Sequence, residues 1–131
     1  ELKADEVLIT ADTVVCIHDR ILGKPADRKE AISMLQKLSG NRHLVVTGVS
    51  VTTRTEQLSF SSRTDVFFKH LSNEEIEFYV DTYKPFDKAG AYGIQEWIGY
   101  IGIERIEGSF YNVMGLPIQK LYETLRKLQF Q

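Results

Sequence analysis

The sequence is poor in cysteine and proline, and it has no long apolar run and no excess of either charge. Its one cysteine, Cys16, rules out an intramolecular disulfide, so a reducing setting is expected. Cys16 lies in an apolar stretch and reads as a buried small hydrophobe; no His or Asn stands near it in sequence to make it a nucleophile. No stretch approaches the ~20 apolar residues of a membrane span, and no signal-peptide pattern is evident. No membrane partner and a cytoplasmic location are therefore expected. Sixteen basic against 18 acidic residues give a net charge of −2, which argues against stable binding to nucleic acid through a broad basic surface. The histidines, His18, His43 and His70, lack the spacing of a metal motif. His18 and His70 read as surface residues and His43 as structural. Repeats, low-complexity tracts and linkers are also missing, so one domain over residues 1–131 is expected.

What is present is a chain with 43% hydrophobic and 26% charged residues, enough for one real core. Val7–Ile17 reads as a strand, its first half continuously apolar as in a strand covered on both faces. A turn at His18-Asp19-Arg20 returns it as Ile21-Leu22. Asp27 and Glu30 form a capping-box-like pair before a helix to Leu38, with Ala31, Met34, Leu35 and Leu38 on one face. Leu44–Thr53 and Leu58–Phe68 read as long strands joined in a hairpin. Ser72 and Glu75 open a second helix with the stripe Ile76, Tyr79, Val80 and Tyr83, and Pro85 stops it. Ile98–Ile106 reads as a strand bent at Gly99 and Gly102, and Gly108–Gly115 as a loop. Pro117 starts a last helix with Ile118, Leu121, Tyr122, Leu125 and Leu128 as its core face. The fold class is α/β, with a mixed sheet flanked by helices.

The densest chemistry lies in Asp87-Lys88-Ala89-Gly90-Ala91-Tyr92-Gly93-Ile94-Gln95. Gly90 and Gly93 allow tight turns or close approach to a ligand. Lys88 offers a point charge for phosphate, and Gln95 a donor and an acceptor for the edge of a base. Near the start, Asp12 interrupts an apolar run, and an unpaired carboxylate there is costly to bury. It either caps a turn or pairs with Lys24, or it stands at a strand end to bind metal or activate water. Thr13, Lys24 and Asp87 complete the polar residues at strand ends and loops, where sites on α/β sheets collect. Taken singly, Thr13 is a good strand residue, Lys24 a solvated lysine and Asp87 a loop cap. Trp97 stacks on a base or packs, with packing favoured. The stretch Gly108–Pro117 is a plain helix entry or an anion site.

These residues resemble the Maf family of nucleoside triphosphate pyrophosphatases. The resemblance runs in order through Ala11-Asp12-Thr13-Val14-Val15, Ile21-Leu22-Gly23-Lys24-Pro25, Leu38-Ser39-Gly40, His43 and Val46-Thr47-Gly48-Val49. It continues through Leu71-Ser72, Glu75-Ile76, Tyr79, the Asp87–Gln95 run, Ile106-Glu107-Gly108-Ser109, Asn112-Val113 and Gly115-Leu116-Pro117. Each piece is weak alone; the ordered set is specific. The Gly-Ile-Gln ending resembles the branch acting on dTTP and UTP, rather than the one acting on methylated guanosine triphosphate.

The resemblance implies a bent mixed sheet, two lobes with a cleft between them, and hydrolysis of a nucleoside triphosphate to monophosphate and pyrophosphate with Mg²⁺ or Mn²⁺. It implies Asp12 as general base, Thr13 and Gln95 as base-selecting residues, and Lys24 at the phosphates. Lys88 is expected beside Lys24 on the leaving group, and Asp12 with Asp87 at the metal. A homodimer is allowed. The family also opens with a Ser-x-Ser-Pro-Arg-Arg phosphate-binding turn that nothing here matches, so the N-terminal strand, turn and helix are expected to be missing and turnover by these residues alone to be low. The rival readings are a nucleotide-binding regulatory module linked to septum formation, and an interaction domain with a decayed site.

Overall fold

The computed structural model describes residues 1–128. Its centre is formed by three long antiparallel strands: β1 (Leu8–Ile17), β3 (Arg42–Thr52) and β4 (Gln57–Phe68). The short β2 (Arg20–Leu22) returns on one side of β1 and β5 (Ile103–Glu107) lies along β4, giving the order β2-β1-β3-β4-β5. All four pairings are antiparallel. The expected α/β class with flanking helices holds. The expected mixture of strand directions is not seen among the described residues, where short turns return β1 as β2 and β3 as β4, and the longer helical connections also bring their strands back antiparallel. The β3–β4 turn is closed by Thr53, whose Oγ1 accepts from the Thr55 and Glu56 amides.

Alternation sets one buried face. His43, Val45, Thr47, Val49 and Val51 of β3 point the same way, and Thr47 stands between Thr13 of β1 and Ser62 of β4. On one end of this face, α1 (Arg28–Leu38) and α2 (Asn73–Tyr83) pack over Val15, Ile17, Val66 and Phe68. Helix α1 buries Ala31, Met34, Leu35 and Leu38, as its spacing requires. Asp27 Oδ1 accepts from the Glu30 amide, and the Glu30 carboxylate accepts from the Ala26 amide. The Ser72–Glu75 capping box of α2 is complete in both directions. At the other end, α5 (Ile118–Lys127) covers Val49 and Val51.

Several expectations are corrected. The segment expected as one strand from Ile98 is first a helix, α3 (Trp97–Gly102). Glycine permits this: a Cβ on Gly99 would stand 1.8 Å from the Ile94 carbonyl oxygen, and one on Gly102 would stand 3.1 Å from Leu71 and Phe68 side-chain atoms. The expected loop after Gly108 contains α4 (Phe110–Met114), capped by Ser109 Oγ accepting from the Asn112 amide and ended by Gly115 at φ +116°. Of the expected core face, only Leu121 within α5 and its C-cap residue Leu128 are buried, while Ile118 and Tyr122 are exposed, because the helix covers the tip of the sheet rather than its breadth. Tyr83 is likewise exposed and stacks on Tyr79. Cys16 is half-buried, because its parity places it on the face opposite Val15 and Ile17. The first half of β1 is exposed, with Leu8 50% and Ile9 41% accessible; among the described residues β2 pairs with β1 only from Val15 onward. No helix among the described residues is long and apolar enough to cross a membrane.

Candidate active site

Where the buried face passes from one apolar cluster to the other, a cleft of about 330 Å³ opens at the β1 side of the sheet. Strand β1 supplies Asp12 and Thr13 to it, and the turn after β2 supplies Lys24. The loop between α2 and α3 supplies Asp87, Lys88, Gly93 and Gln95, and the end of α4 closes it with Met114 and Gly115.

The α2–α3 loop is held at three points. Gly90 packs on β1 so tightly that a Cβ there would stand 3.0 Å from Val15 Cγ2, and its φ of +72° also calls for glycine. Its amide donates to the Gly23 carbonyl at 3.1 Å, tying the loop to the turn that carries Lys24. The Tyr92 hydroxyl lies 2.6 Å from His43 Nε2, and the imidazole stacks on Phe68. Burial lowers the His43 pKa to about 4, so the ring is neutral, and burial raises the Tyr92 phenol. The third point is Tyr79, whose hydroxyl accepts from the Gly93 amide at 3.1 Å and donates to Glu96 Oε1 at 2.5 Å. Burial, then the bond to Glu96, keeps the Tyr79 phenol protonated well above its usual range. Ala91, a non-glycine at φ +65°, carries strain between these anchors. The result is a rigid loop presenting Lys88 and Gln95 across the cleft from β1.

The opposite wall rests on a buried polar belt. Thr13 Oγ1 lies 2.8 Å from Thr47 Oγ1, and Thr47 donates to the Asn112 carbonyl at 3.3 Å. The Asn112 amide nitrogen reaches the carbonyls of Val45 and Ser62 and the hydroxyl of Thr64, at 2.9–3.2 Å. Thr47 and Asn112 are fully buried. Asn112 thereby binds α4 to two strands and sets the depth of the cleft floor.

All six residues singled out from the sequence line this one cleft: Asp12, Thr13, Lys24, Asp87, Lys88 and Gln95. Asp12 pairs with Gly48 and alternates away from Thr13, so it reaches the cleft from the free edge of β1 and is exposed. Gln95 sits exposed at the rim. Asp87 contacts Lys88 at 3.2 Å, and that ammonium, with Lys24 nearby, holds its carboxyl below the usual carboxylate range. Asp87 therefore stands in an ion pair rather than as a loop cap. No group of three or more His, Cys, Asp or Glu side chains suited to a metal ion occurs among the described residues. Two carboxylates on one cleft match a hard cation carried largely by phosphate oxygens and water, not an all-protein cage. His18 and His70 are exposed and His43 is buried. Trp97 packs edge-on to Phe78 at 4.9 Å. Ser109 occupies the start of α4 with its own side chain, the plain helix entry.

Sequence reasoning missed Thr47, Asn112, Tyr79 and Glu96 as supports of the site. The signal for Thr47 was available: a hydroxyl at the buried parity of β3, directly opposite Thr13.

The family model described as Maf-like protein matches residues 1–128. A protein of Bacteroides thetaiotaomicron named dTTP/UTP pyrophosphatase is 59% identical over 127 residues, 97% of this chain and 66% of that protein. One of Porphyromonas gingivalis with the same name is 62% identical over 95% of this chain and 63% of its own length. One of Christiangramia forsetii, also so named, is 49% identical over 98% of this chain and 65% of its own. The chain thus spans just under two thirds of the length of these relatives.

Proposed function

The chain belongs to the Maf family, and we propose that it carries the catalytic cleft of a nucleoside triphosphate pyrophosphatase acting on dTTP and UTP in the cytoplasm. The observation that carries this reading is the convergence of two lysines, two aspartates, a threonine and a glutamine from three separated segments onto one cleft. Relatives that match nearly the whole chain are named for this activity.

The chemistry follows from the side chains. Lys24 and Lys88 draw the polyphosphate into the cleft and neutralise charge that grows on the departing pyrophosphate. Asp12, at the free edge of β1, takes the proton of a water as its oxygen attacks the α-phosphorus. The bond from that phosphorus to the bridging oxygen breaks, and pyrophosphate leaves in one step. Thr13 and Gln95 contact the base. Asp12 and Asp87 would hold a divalent cation, Mg²⁺ or Mn²⁺, which supplies charge neutralisation at the phosphates when bound. Tyr79 and Glu96 keep the Gly93 backbone in place, so that Lys88 and Gln95 face the substrate without reorganising.

Separation of the products of UTP and dTTP after incubation with the chain tests the reading. UMP or dTMP with pyrophosphate is expected in equal amounts. Nucleoside diphosphate with inorganic phosphate would overturn it.

A further inference from the structure

The charges that line the cleft cancel. Lys24 and Lys88 share one opening with Asp12 and Asp87. A free triphosphate therefore meets no net positive charge there, although two lysines are present to hold it. Part of the cancellation is a direct contact. The Lys88 ammonium donates to Asp87 Oδ1 at 3.2 Å. That bond first, and Lys24 last, hold the Asp87 carboxyl below its usual range. Asp87 thus stands where an anion would, beside the lysines proposed for phosphate. The two partners differ in freedom. The Lys88 side chain is 27% accessible and that of Asp87 76%. The lysine stem is confined, since its Cε passes so close to Gly93 that a Cβ there would stand 2.9 Å away. Gly93 is itself held by the Tyr79 hydroxyl. The Lys88 stem stays in place, while its ammonium and the Asp87 carboxylate can change partners.

We propose that Asp87 is a stand-in for phosphate on Lys88, and that it makes the cleft select a triphosphate complexed with a divalent cation over the free triphosphate. The inference rests on the reading that Lys24 and Lys88 hold the polyphosphate. When the complex arrives, Lys88 exchanges Asp87 for a phosphate oxygen, and the released carboxylate turns to the cation that accompanies the substrate. Both partners are exchanged together and no charge is left unpaired. A free triphosphate offers Lys88 the same exchange but strands Asp87 beside phosphate oxygens, where like charges repel. A cation alone reaches a carboxylate that Lys88 already neutralises. Asp87 is accordingly a specificity-determining residue for the ionic form of the substrate, a role separate from holding the cation.

The test is calorimetric titration with the α,β-methylene analogue of UTP, whose bridging carbon prevents release of pyrophosphate. Titrations are run in EDTA and in Mg²⁺, and repeated with inorganic pyrophosphate. Asp87→Asn keeps the size of the side chain and removes its charge. It should tighten the free analogue about fivefold, the upper range for an exposed ion pair, and weaken the Mg²⁺ complex. A residue that only ligates the cation would leave the free analogue unchanged, and one that only shapes the loop would weaken both. The gain must also pass through Lys88. In a Lys88→Met background Asp87→Asn should tighten the free analogue by about twofold or less, because repulsion alone remains to be relieved. Unchanged or weaker binding of the free analogue in Asp87→Asn overturns the inference, as does an equal gain in both backgrounds. Opposite changes with pyrophosphate but none with the UTP analogue would count against the nucleotide reading and leave the role of Asp87 standing. A chain that binds neither probe holds no anion at these lysines, and the inference falls.

Discussion

The two ends of the buried sheet face are built on different scales. Under α1 and α2 lie eighteen buried apolar residues from strands, helices and the α2–α3 loop, with Leu35, Leu38 and Tyr79 fully enclosed. Under α5 lie four: Val49, Val51, Leu121 and Leu128. Between them the row Thr13, Thr47 and Ser62 replaces apolar side chains with hydroxyls, and the cleft opens there. The large end fixes the loop that carries Lys88 and Gln95. The small end carries the α4–α5 wall. Apolar packing supplies rigidity at a distance, and the site occupies the interruption, where Thr13, Thr47 and the Asn112 amide nitrogen are hydrogen-bonded and the Asn112 Oδ1 is buried without a partner.

The comparison is broken most forcefully by separating activity from stability at the interruption. Asp12→Asn removes the proposed base from an exposed position, so kcat should fall by about a hundredfold or more with little change in melting temperature. Pyrophosphate release and calorimetric melting check both halves; turnover within a few-fold of the parent would remove Asp12 from the role of base.

Next comes truncation in each cluster. Leu35→Ala leaves a cavity with nothing free to collapse into it and should cost about 4 kcal/mol. Leu121→Ala, under a helix that covers only the sheet tip, should cost about 2 kcal/mol. Urea unfolding of both variants reads the difference, and equal costs would erase the distinction between the two ends.

The third prediction concerns pH. His43 is neutral when folded because burial lowers its pKa from 6.5 to about 4. Between those values the unfolded chain binds the extra proton, so stability rises with pH across the window and is lost as pH falls from 6.5 toward 4. The full loss amounts to about 3 kcal/mol. It should show as a falling urea midpoint in acid, and His43→Gln should flatten that portion of the curve. A midpoint independent of pH from 6.5 to 4 in the unaltered chain would remove His43 as its source.

The smallest effect is expected at Gly93. An added methyl meets the movable Lys88 Cε at 2.9 Å and Gln95 Nε2 at 3.3 Å, and at 3.0 Å the Glu96 Oε1 that accepts from Tyr79. Gly93→Ala should raise KM for UTP several-fold and leave the melting temperature within a degree or two. A large fall in melting temperature would mean that the methyl breaks the Tyr79–Glu96 anchor instead of crowding the movable side chains.

Much of this was legible in the residues. Periodicity located α1, α2 and the three long strands to within a few residues, and the caps at Asp27 and Ser72 fell where the sequence put them. The six cleft residues were recognisable because charge and glycine in strand ends and loops serve no packing purpose. What was illegible depended on contacts between distant segments. Gly99 and Gly102 looked like bends in a strand, and only the approach of Ile94, Leu71 and Phe68 makes a helix the arrangement that fits. The exposure of Ile118 and Tyr122 follows from where α5 lands on the sheet, not from its own pattern. Thr47 and Asn112 looked like ordinary strand and loop residues until β1, β3 and α4 met around them.

The central claim is that water attacks the α-phosphorus of a nucleotide held in this cleft. The most direct measurement is hydrolysis of UTP by the chain in ¹⁸O-enriched water, with mass analysis of both products. The account predicts one heavy oxygen in UMP and none in pyrophosphate. Heavy oxygen in pyrophosphate, or in inorganic phosphate released alongside UDP, would contradict it.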